Sequence, residues 1–195
     1  MAGVIPKETA DLIKKFCMEC ESTDAVSIAD KLMEMECVRM RGPEHHYLVS
    51  AVLLTAYCNE YKIEKKEMLV KAYVRVNTIP VGVCALYGSC GTVMGAGAAV
   101  SILLSVNPFS KEDLQRVNLI TAGVQSHLAK YGGPRCCKRA VWIAVSEAVR
   151  GMNRCMGCNL PVTLQVCKYT KRNSECQAAK CEFYIRRGYK KVTGL

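Results

Sequence analysis

The sequence predicts an all-α fold, a compact multi-helix domain followed by a small, irregular, cysteine-rich C-terminal knuckle that holds a metal. Apolar residues recur at helical spacing through most of residues 1–152. Half of all residues are hydrophobic, which is enough to bury a core. From residue 153 onward the periodicity breaks down and cysteines and cations accumulate. We therefore expect a helical domain over 1–152 and a basic, metal-binding tail over 153–195 packed on it.

Four helices are predicted in the first half of the chain, over residues 7–20, 25–37, 43 to about 59, and 64–76. Ser22, Thr23 or Asp24 is available as the N-cap of the second helix. Pro43 suits the first position of the third helix, because proline lacks the amide hydrogen that this position leaves unpaired. The fourth helix mixes Glu and Lys and is expected at the surface.

The second half begins with a loop over residues 79–91, whose glycines and proline argue against regular structure and which delivers cysteines into the core. A buried helix follows to residue 105, and further helices are predicted over 111–131 and from 134 to about 151. The stretch 160–166 suggests a short strand.

A membrane span is not predicted, although the 35 residues between Arg75 and Lys111 carry no charge. The apolar run within them, Val93 to Val106, has only 14 residues, whereas a span needs about 20. A buried core helix explains the run better.

Cysteine usage points to a reducing cytoplasm. The chain has 13 cysteines, an odd number, and its N-terminal residues include no apolar segment typical of a secretory signal. Both observations argue against a secreted disulfide protein, and clustered reduced thiols usually bind metal.

The first cysteine cluster is in the tail, where Cys167, Cys176 and Cys181 have the spacing C-x8-C-x4-C. This segment has too few apolar residues to fold by packing, so a metal is expected to order it. Cys155, Cys158 or a cysteine of the helical domain could be the fourth ligand; with none of them, one metal position would stay open. Free surface thiols are the alternative interpretation.

The second cluster begins with Cys84 and Cys90 in the motif VCALYGSCGT. Gly88 and Gly91 in this motif would let the backbone approach a cofactor closely and offer amide hydrogens to its sulfurs.

Cys136 and Cys137 in GGPRCCKR complete the second cluster, in the first turn of a predicted helix. The positive helix end and the cations Arg135, Lys138 and Arg139 favour thiolate, which predicts low-pKa, reactive or metal-bound cysteines. Consecutive helical residues point about 100° apart, so one cluster should take only one of the two. The pair could also be core, or a redox pair.

The motif GPEHH supplies the acid/base candidates Glu44, His45 and His46, with Arg135 to bind an anionic substrate or to stabilise cluster charge. One histidine would be a ligand or acid/base group and the other a cap or core residue. Glu44 could equally be an ordinary stabilising carboxylate at a helix N-terminus.

The excess of positive over negative charge lies entirely in the last third of the chain. Residues 1–134 contain 14 Lys/Arg and 14 Asp/Glu, whereas residues 135–195 contain 13 and 3. Tyr169, Phe183, Tyr184 and Tyr189 alternate with these cations, as in surfaces that bind RNA or DNA. A solvated face, or charge that offsets an anionic thiolate cluster, is the alternative, and we favour it because no nucleic-acid-binding motif is present.

Taken in order, the motifs GPEHH, GVCALYGSCG, GGPRCCKR and CKYTKRNSEC resemble an uncharacterised family of unknown function from anaerobic bacteria and archaea, over roughly residues 17–184. Some members carry a methyltransferase-related label. No glycine-rich S-adenosylmethionine loop after a strand is present here, so the resemblance implies a fold and motif positions but no substrate.

The leading hypothesis is a cytoplasmic iron–sulfur protein of anaerobic metabolism, with a 4Fe–4S cluster serving redox, sulfur or one-carbon chemistry or cluster handling. If it is an enzyme, it is a redox or sulfur-transfer enzyme with a redox or acidic protein partner. The alternative is a zinc-stabilised binding module whose basic tail docks RNA or an acidic protein. A homodimer is compatible with either hypothesis. In the iron–sulfur hypothesis, a core site is lined by Cys84, Cys90, Cys136 and Cys137. The tail cysteines Cys167, Cys176 and Cys181 either close over this core site or form a second site.

Overall fold

The computed structural model describes residues 4–184, and within them the chain forms eight α-helices and no strand. The predicted all-α class is confirmed. The helices are α1 (Lys7–Glu19), α2 (Ala25–Leu32), α3 (Glu44–Tyr61), α4 (Lys66–Val76), α5 (Val83–Leu86), α6 (Gly91–Leu103), α7 (Glu112–Leu128) and α8 (Cys137–Met156). Two short 3-10 turns, Thr170–Arg172 and Ala178–Lys180, follow in the tail.

Helix α3 is the centre of the fold and packs against α1, α2, α4, α6 and α8. Fourteen of its 18 residues are buried, as expected for a helix that is apolar on all sides. Because the burial extends to its first turn, the GPEHH motif lies inside the protein rather than on its surface.

Two glycines let α6 lie directly on the start of α3. A Cβ atom added at Gly91 would fall 2.2 Å from Nε2 of His46, and one added at Gly95 would fall 2.3 Å from the His46 carbonyl oxygen. Any larger residue at either position would push the helices apart. This contact fixes the His46 imidazole against the N-terminus of α6.

The apolar run from Val93 to Val106 folds largely as part of α6, which has 13 residues. Among the described residues, no helix combines the length and the apolar character that crossing a membrane requires.

The tail is fixed on the helical domain through aromatic and charged contacts. The ring of Trp142 on α8 lies 5.1 Å from the ring of Phe183 and 5.8 Å from that of Tyr169, measured between centroids. Next to Phe183 in the chain, Oε1 of Glu182 lies 2.9 Å from Nε2 of His127 on α7. The tail therefore packs against α7 and α8, since it has little apolar core of its own.

Several predicted element boundaries differ from the structure. Asp24 is confirmed as the N-cap of α2, accepting hydrogen bonds from the amides of Val26 and Ser27 at 3.0 and 3.4 Å. However, α2 ends at Leu32 instead of residue 37. The Met33 carbonyl accepts a hydrogen bond from the ammonium of Lys138. In a longer helix this carbonyl would accept from a backbone amide four residues later.

The other differences lie in the second half. The short helix α5 forms inside the predicted loop, and α8 continues to Met156, past the predicted end near 151. The predicted strand over 160–166 is wrong. Its first residue, Leu160, exchanges two hydrogen bonds with the Asn153 side chain, and no neighbouring strand exists among residues 4–184 to form a ladder with it.

Candidate functional site

The seven cysteines predicted as metal ligands line two neighbouring pockets. The three-cysteine pocket contains Cys84, Cys90 and Cys137. The four-cysteine pocket contains Cys136, Cys167, Cys176 and Cys181. All 13 cysteines of the chain are free thiols. Within residues 4–184, no three or more His, Cys, Asp or Glu side chains are arranged as a preformed metal site.

Backbone amides are directed at two sulfurs of the four-cysteine pocket. The amide of Tyr169 donates to Sγ of Cys167 and the amide of Ala178 donates to Sγ of Cys176, each at 3.4 Å. In both cases the donor lies two residues after the cysteine, where the chain enters a 3-10 turn. Such amides stabilise negative charge on sulfur.

Cys136 joins the tail cysteines from the helical domain. It is the N-cap residue of α8, and its Sγ lies 3.8 Å from the side-chain amide nitrogen of Asn173. Asn173 accepts a hydrogen bond from Arg41 at 3.0 Å, and Arg41 also donates to the Arg135 carbonyl at 3.2 Å and pairs with Glu175. Arg41 thus ties the loop before α3 to the tail.

Three thiols of the four-cysteine pocket are close enough for two of them to influence the third. Burial raises the pKa of Cys167, and the neighbouring sulfurs of Cys136 and Cys181 raise it further. Neither Cys155 nor Cys158, which were alternatives for the fourth ligand, lines this pocket. Among the alternatives open from the sequence, the structure places a cysteine of the helical domain, Cys136, with the three tail cysteines.

Of the two cations predicted to contact a cofactor, Arg139 lines the four-cysteine pocket. Its guanidinium donates to Oε1 of Gln177 at 2.6 Å and stacks 4.3 Å above the ring of Tyr131. Gln177 in turn donates to the carbonyls of Gly132 and Gly133. These contacts fasten the tail to the turn before α8.

Lys138, the second of these cations, is fully buried but outside both pocket walls. Its ammonium donates to the carbonyls of Met33 and Val38 at 3.0 Å each and lies 5.0 Å from the ring centre of Tyr169. Burial lowers the pKa of Lys138 to about 8, and the positive charge of Arg172 adds to the effect. Its hydrogen bonds therefore stabilise the fold and do not reach either pocket.

Arg135 lies among the thiols of the three-cysteine pocket. Its Nη1 is 3.1 Å from Sγ of Cys84, and this hydrogen bond raises the pKa of Arg135, with smaller contributions from Cys137 and Cys90. The hydroxyl of Thr92 donates to Sγ of Cys90 at 3.1 Å. Each sulfur of this pocket is thus within the influence of one cation.

Of the alternatives predicted for Cys137, the lowered pKa is wrong, whereas metal binding stays a prediction. Burial raises the pKa of Cys137 to about 11, although the Gly42 amide and the Arg135 cation both oppose the increase. The helix N-terminus and the cations predicted a lowered pKa, but the sequence did not show how deeply this thiol is buried. Without a metal, Cys137 is therefore a neutral thiol at neutral pH.

Both histidines of the GPEHH motif also line the three-cysteine pocket. Burial lowers the pKa of each to about 4, assisted by the charge of Lys138 at His45 and of Arg135 at His46. His45 Nδ1 lies 3.0 Å from the Gly42 carbonyl oxygen. Nε2 of His45 and Nδ1 of His46 are both buried and have no hydrogen-bond partner in the described part of the chain. Neutral imidazoles of this kind can serve as metal ligands or proton acceptors.

Glu44, the third acid/base candidate, is held by Arg39 and lines neither pocket. Its carboxylate accepts hydrogen bonds from the Arg39 amide at 3.0 Å and from the guanidinium at 3.0 and 3.3 Å. Burial alone would raise the pKa of Glu44, but the hydrogen bonds from Arg39, a backbone hydrogen bond and the charges of His45 and Arg39 together lower the pKa below its usual value. The geometry gives this carboxylate a stabilising contact.

The two glycines predicted to contact a cofactor have different surroundings. Gly91 lines the three-cysteine pocket and contacts His46. Gly88 has a φ of +70°, which favours glycine, and its carbonyl accepts a hydrogen bond from Gln125 at 3.2 Å. Gly88 therefore shapes the turn between Cys84 and Cys90.

The aromatic residues of the tail are less available for base stacking than the sequence suggests. Tyr169 is buried and Phe183 is half-buried against Trp142. Tyr184 is half-buried as well, and Tyr189 lies outside the described residues. Exposed cations close in sequence to the cysteines of the four-cysteine pocket include Lys171, Arg172 and Lys180.

Sequence reasoning missed Arg41, Thr92, Asn173 and Gln177, which contact cysteines or hold their loops. The available signal was position: Arg41 directly precedes GPEHH, Thr92 follows the GSCG motif, and the other two flank Cys176. Their polar types are common in loops, so position alone did not distinguish them.

Comparison with known proteins identifies a family. No curated protein and no solved structure matched the chain. The model of one protein family, described as a family of unknown function (DUF5714), matches residues 13–184. The matched segment includes every cysteine of both pockets. The chain therefore belongs to the family of unknown function DUF5714.

Proposed function

We propose that this is a metal-thiolate protein of the reducing cytoplasm that carries an iron–sulfur cluster in the four-cysteine pocket. The observation that carries the proposal is the convergence of four thiols from two distant segments on one pocket. Cys136 comes from the start of α8, and the other three come from a tail with little apolar core. A free-thiol cluster of this kind, in a segment that packing alone would not order, is typical of metal binding.

The donor set and its surroundings fit such a cofactor. Four thiolates are the ligand set that iron–sulfur clusters use, and the amides of Tyr169 and Ala178 already point at two of the sulfurs. Four thiolates around a cluster leave a net negative charge, which the guanidinium of Arg139 in the pocket wall offsets. Binding would require the cysteine side chains to rotate toward one another, so metal and local order would arrive together.

A cluster bound there would supply one-electron redox chemistry or sulfur handling, and we propose that this chemistry serves an anaerobic metabolism. The chain's own contribution is shielding and charge. Tyr169 and Trp142 line one wall with buried aromatic surface, which limits access of water to the sulfurs. Arg41 and Asn173 hold the tail against the helical domain, so that Cys136 stays opposite the tail cysteines.

Zinc in the same pocket is the second candidate, because a four-thiolate set suits zinc as well. The exposed cations Lys171, Arg172 and Lys180 would then form the docking surface of a zinc-stabilised module for an acidic protein or RNA.

The test compares Cys176→Ser with Cys155→Ser, a half-buried cysteine outside both pockets, after purification without oxygen. Metals and acid-labile sulfide are measured per chain, and far-UV circular dichroism checks the helices. The expected result is full iron and sulfide in Cys155→Ser and a loss of both in Cys176→Ser. Full iron in a folded Cys176→Ser variant would overturn the assignment, whereas loss of zinc would favour the second candidate.

A further inference from the structure

We infer that the three-cysteine pocket is a second, separate metal site, in which Cys84, Cys90, Cys137 and the His46 imidazole bind a thiophilic divalent cation. This inference goes beyond the proposed function because it uses none of the four thiols of the other pocket. It assigns a role to the GPEHH motif, which the proposed function does not use.

The four donors are brought together by separate parts of the fold. Cys84 is on α5, Cys90 is the N-cap residue of α6, Cys137 begins α8 and His46 is in the first turn of α3. All four line one pocket. Three thiols and an imidazole are a common donor set for tetrahedral zinc and for related divalent ions of the transition series.

The surroundings of His46 support its part in the set. Its side chain is buried and its Nδ1 has no hydrogen-bond partner among the described residues, a property that it shares with Nε2 of His45. His45 differs in that its other ring nitrogen is already bound to the Gly42 carbonyl. A buried, unpartnered ring nitrogen in a protein core is unfavourable unless some group binds it. Gly91 is required beside the ring, since a Cβ there would overlap the imidazole.

Charge in the pocket also favours a bound cation with three thiolates. On binding, each thiol loses its proton to solvent, and three thiolates, one divalent cation and a neutral imidazole sum to one negative charge. The guanidinium of Arg135, 3.1 Å from Sγ of Cys84, supplies the balancing positive charge. A neutral total makes a partly buried site tolerable, because an uncompensated charge there would be costly.

The three-cysteine pocket is close to solvent at Arg135. That residue is exposed, and Cys84 and Cys90 are half-buried. The guanidinium can therefore bind one sulfur while the pocket remains open to exchange with solvent. Its hydrogen bond to Cys84 would persist with the metal bound, in the manner of an outer-shell partner.

The experiment measures cobalt binding by the full-length metal-free chain without oxygen, because tetrahedral thiolate-bound Co²⁺ absorbs visible light. Wild type is compared with Cys90→Ser, Cys84→Ser, Cys176→Ser, His46→Asn and the control Cys155→Ser. Including Cys84→Ser, which lies on a short helix near the surface, keeps the test decisive if Cys90→Ser fails to fold.

We expect each of the first two variants to lose one class of cobalt site that Cys176→Ser and Cys155→Ser keep. His46→Asn should lower the cobalt affinity of that same class by at least about tenfold. Loss of an outer-shell partner already lowers metal affinity by about tenfold or more, and loss of a ligand should lower it further. An unchanged spectrum and affinity in His46→Asn would remove the imidazole from the donor set.

Two other results would overturn the second site. Full binding in Cys84→Ser and Cys90→Ser would show that these thiols bind no metal. Loss of the same cobalt class in Cys90→Ser and in Cys176→Ser would show one shared site. Failure of the proposed function looks different, since Cys176→Ser would then keep all of its metal while Cys90→Ser loses one class.

Discussion

Cys136 and Cys137 are consecutive residues whose side chains line different pockets. Cys136 is the N-cap of α8, with an extended φ of −123° and ψ of 108°, whereas Cys137 is the first helical residue. The change of backbone conformation between them directs one sulfur at the tail and the other at the start of α3. One dipeptide thereby connects the two proposed metal sites.

This division predicts that the two cysteines bind different metals. Cys136→Ser should lose the metal that Cys176→Ser loses, and Cys137→Ser should lose the metal that Cys90→Ser loses, because each removes one ligand of a different set. Metal content per chain, measured by mass spectrometry on anaerobically purified variants, gives the answer. Identical losses in Cys136→Ser and Cys137→Ser would contradict two separate sites.

Gly91→Ala should destabilise the fold by about 1–3 kcal/mol, because the added Cβ would fall 2.2 Å from Nε2 of His46. Gly123→Ala is the matched control. Gly123 is also helical and has no atom within 4 Å of an added Cβ, so alanine there should stabilise by about 0.5–1 kcal/mol. Urea unfolding midpoints of the two variants should therefore move in opposite directions, and equal shifts would count against the contact between α6 and His46.

Lys138→Met should destabilise the protein by about 2–4 kcal/mol, because the carbonyls of Met33 and Val38 would lose their partner inside the core. Lys71→Met, at a residue whose side chain is 62% exposed, should change stability by less than about 0.5 kcal/mol. Chemical denaturation of both variants tests the difference. A Lys138→Met protein as stable as wild type would mean that Lys138 has some role other than binding these carbonyls.

Glu147 should make stability depend on pH. Burial raises the pKa of Glu147, but hydrogen bonds from His127 and Arg150 outweigh burial and lower it below its usual value. A lowered folded-state pKa stabilises the fold above the unfolded-state pKa of about 4.3 and loses that contribution as pH falls through the folded value.

The comparison is between wild type and Glu147→Gln, unfolded by urea at pH 7 and at about pH 3. Wild type should be the more stable at pH 7, and the difference should shrink toward zero in acid. Glu182, which contacts His127 from its other side, is unchanged in both proteins. A difference that is the same at both pH values would show that the Glu147 charge contributes nothing.

The helical architecture was readable from the sequence because periodicity reports which faces are buried. The Asp24 cap followed from residue type and position and is present. The early end of α2 was not readable, since it depends on Lys138, which is about a hundred residues away in the chain. The strand over 160–166 failed for a similar reason: β-propensity is realised only when a neighbouring strand exists.

The candidate site was partly readable. The cysteine motifs marked the residues that line the pockets, but the partition between pockets depends on how the tail folds back on α8. Spacing alone could not pair Cys136 with Cys167, because their contact is tertiary. The lowered pKa predicted for Cys137 was wrong because the sequence shows helix position and neighbouring charges but not the depth of burial, which raises the pKa.

The central claim is that the protein binds an iron–sulfur cluster through the cysteines of the four-cysteine pocket. The most direct measurement is the visible spectrum of the anaerobically purified wild-type chain, together with its content of iron, zinc and acid-labile sulfide. The account predicts brown protein with broad absorbance near about 400 nm and matching iron and sulfide. Colourless protein that contains zinc, or no metal at all, would contradict it.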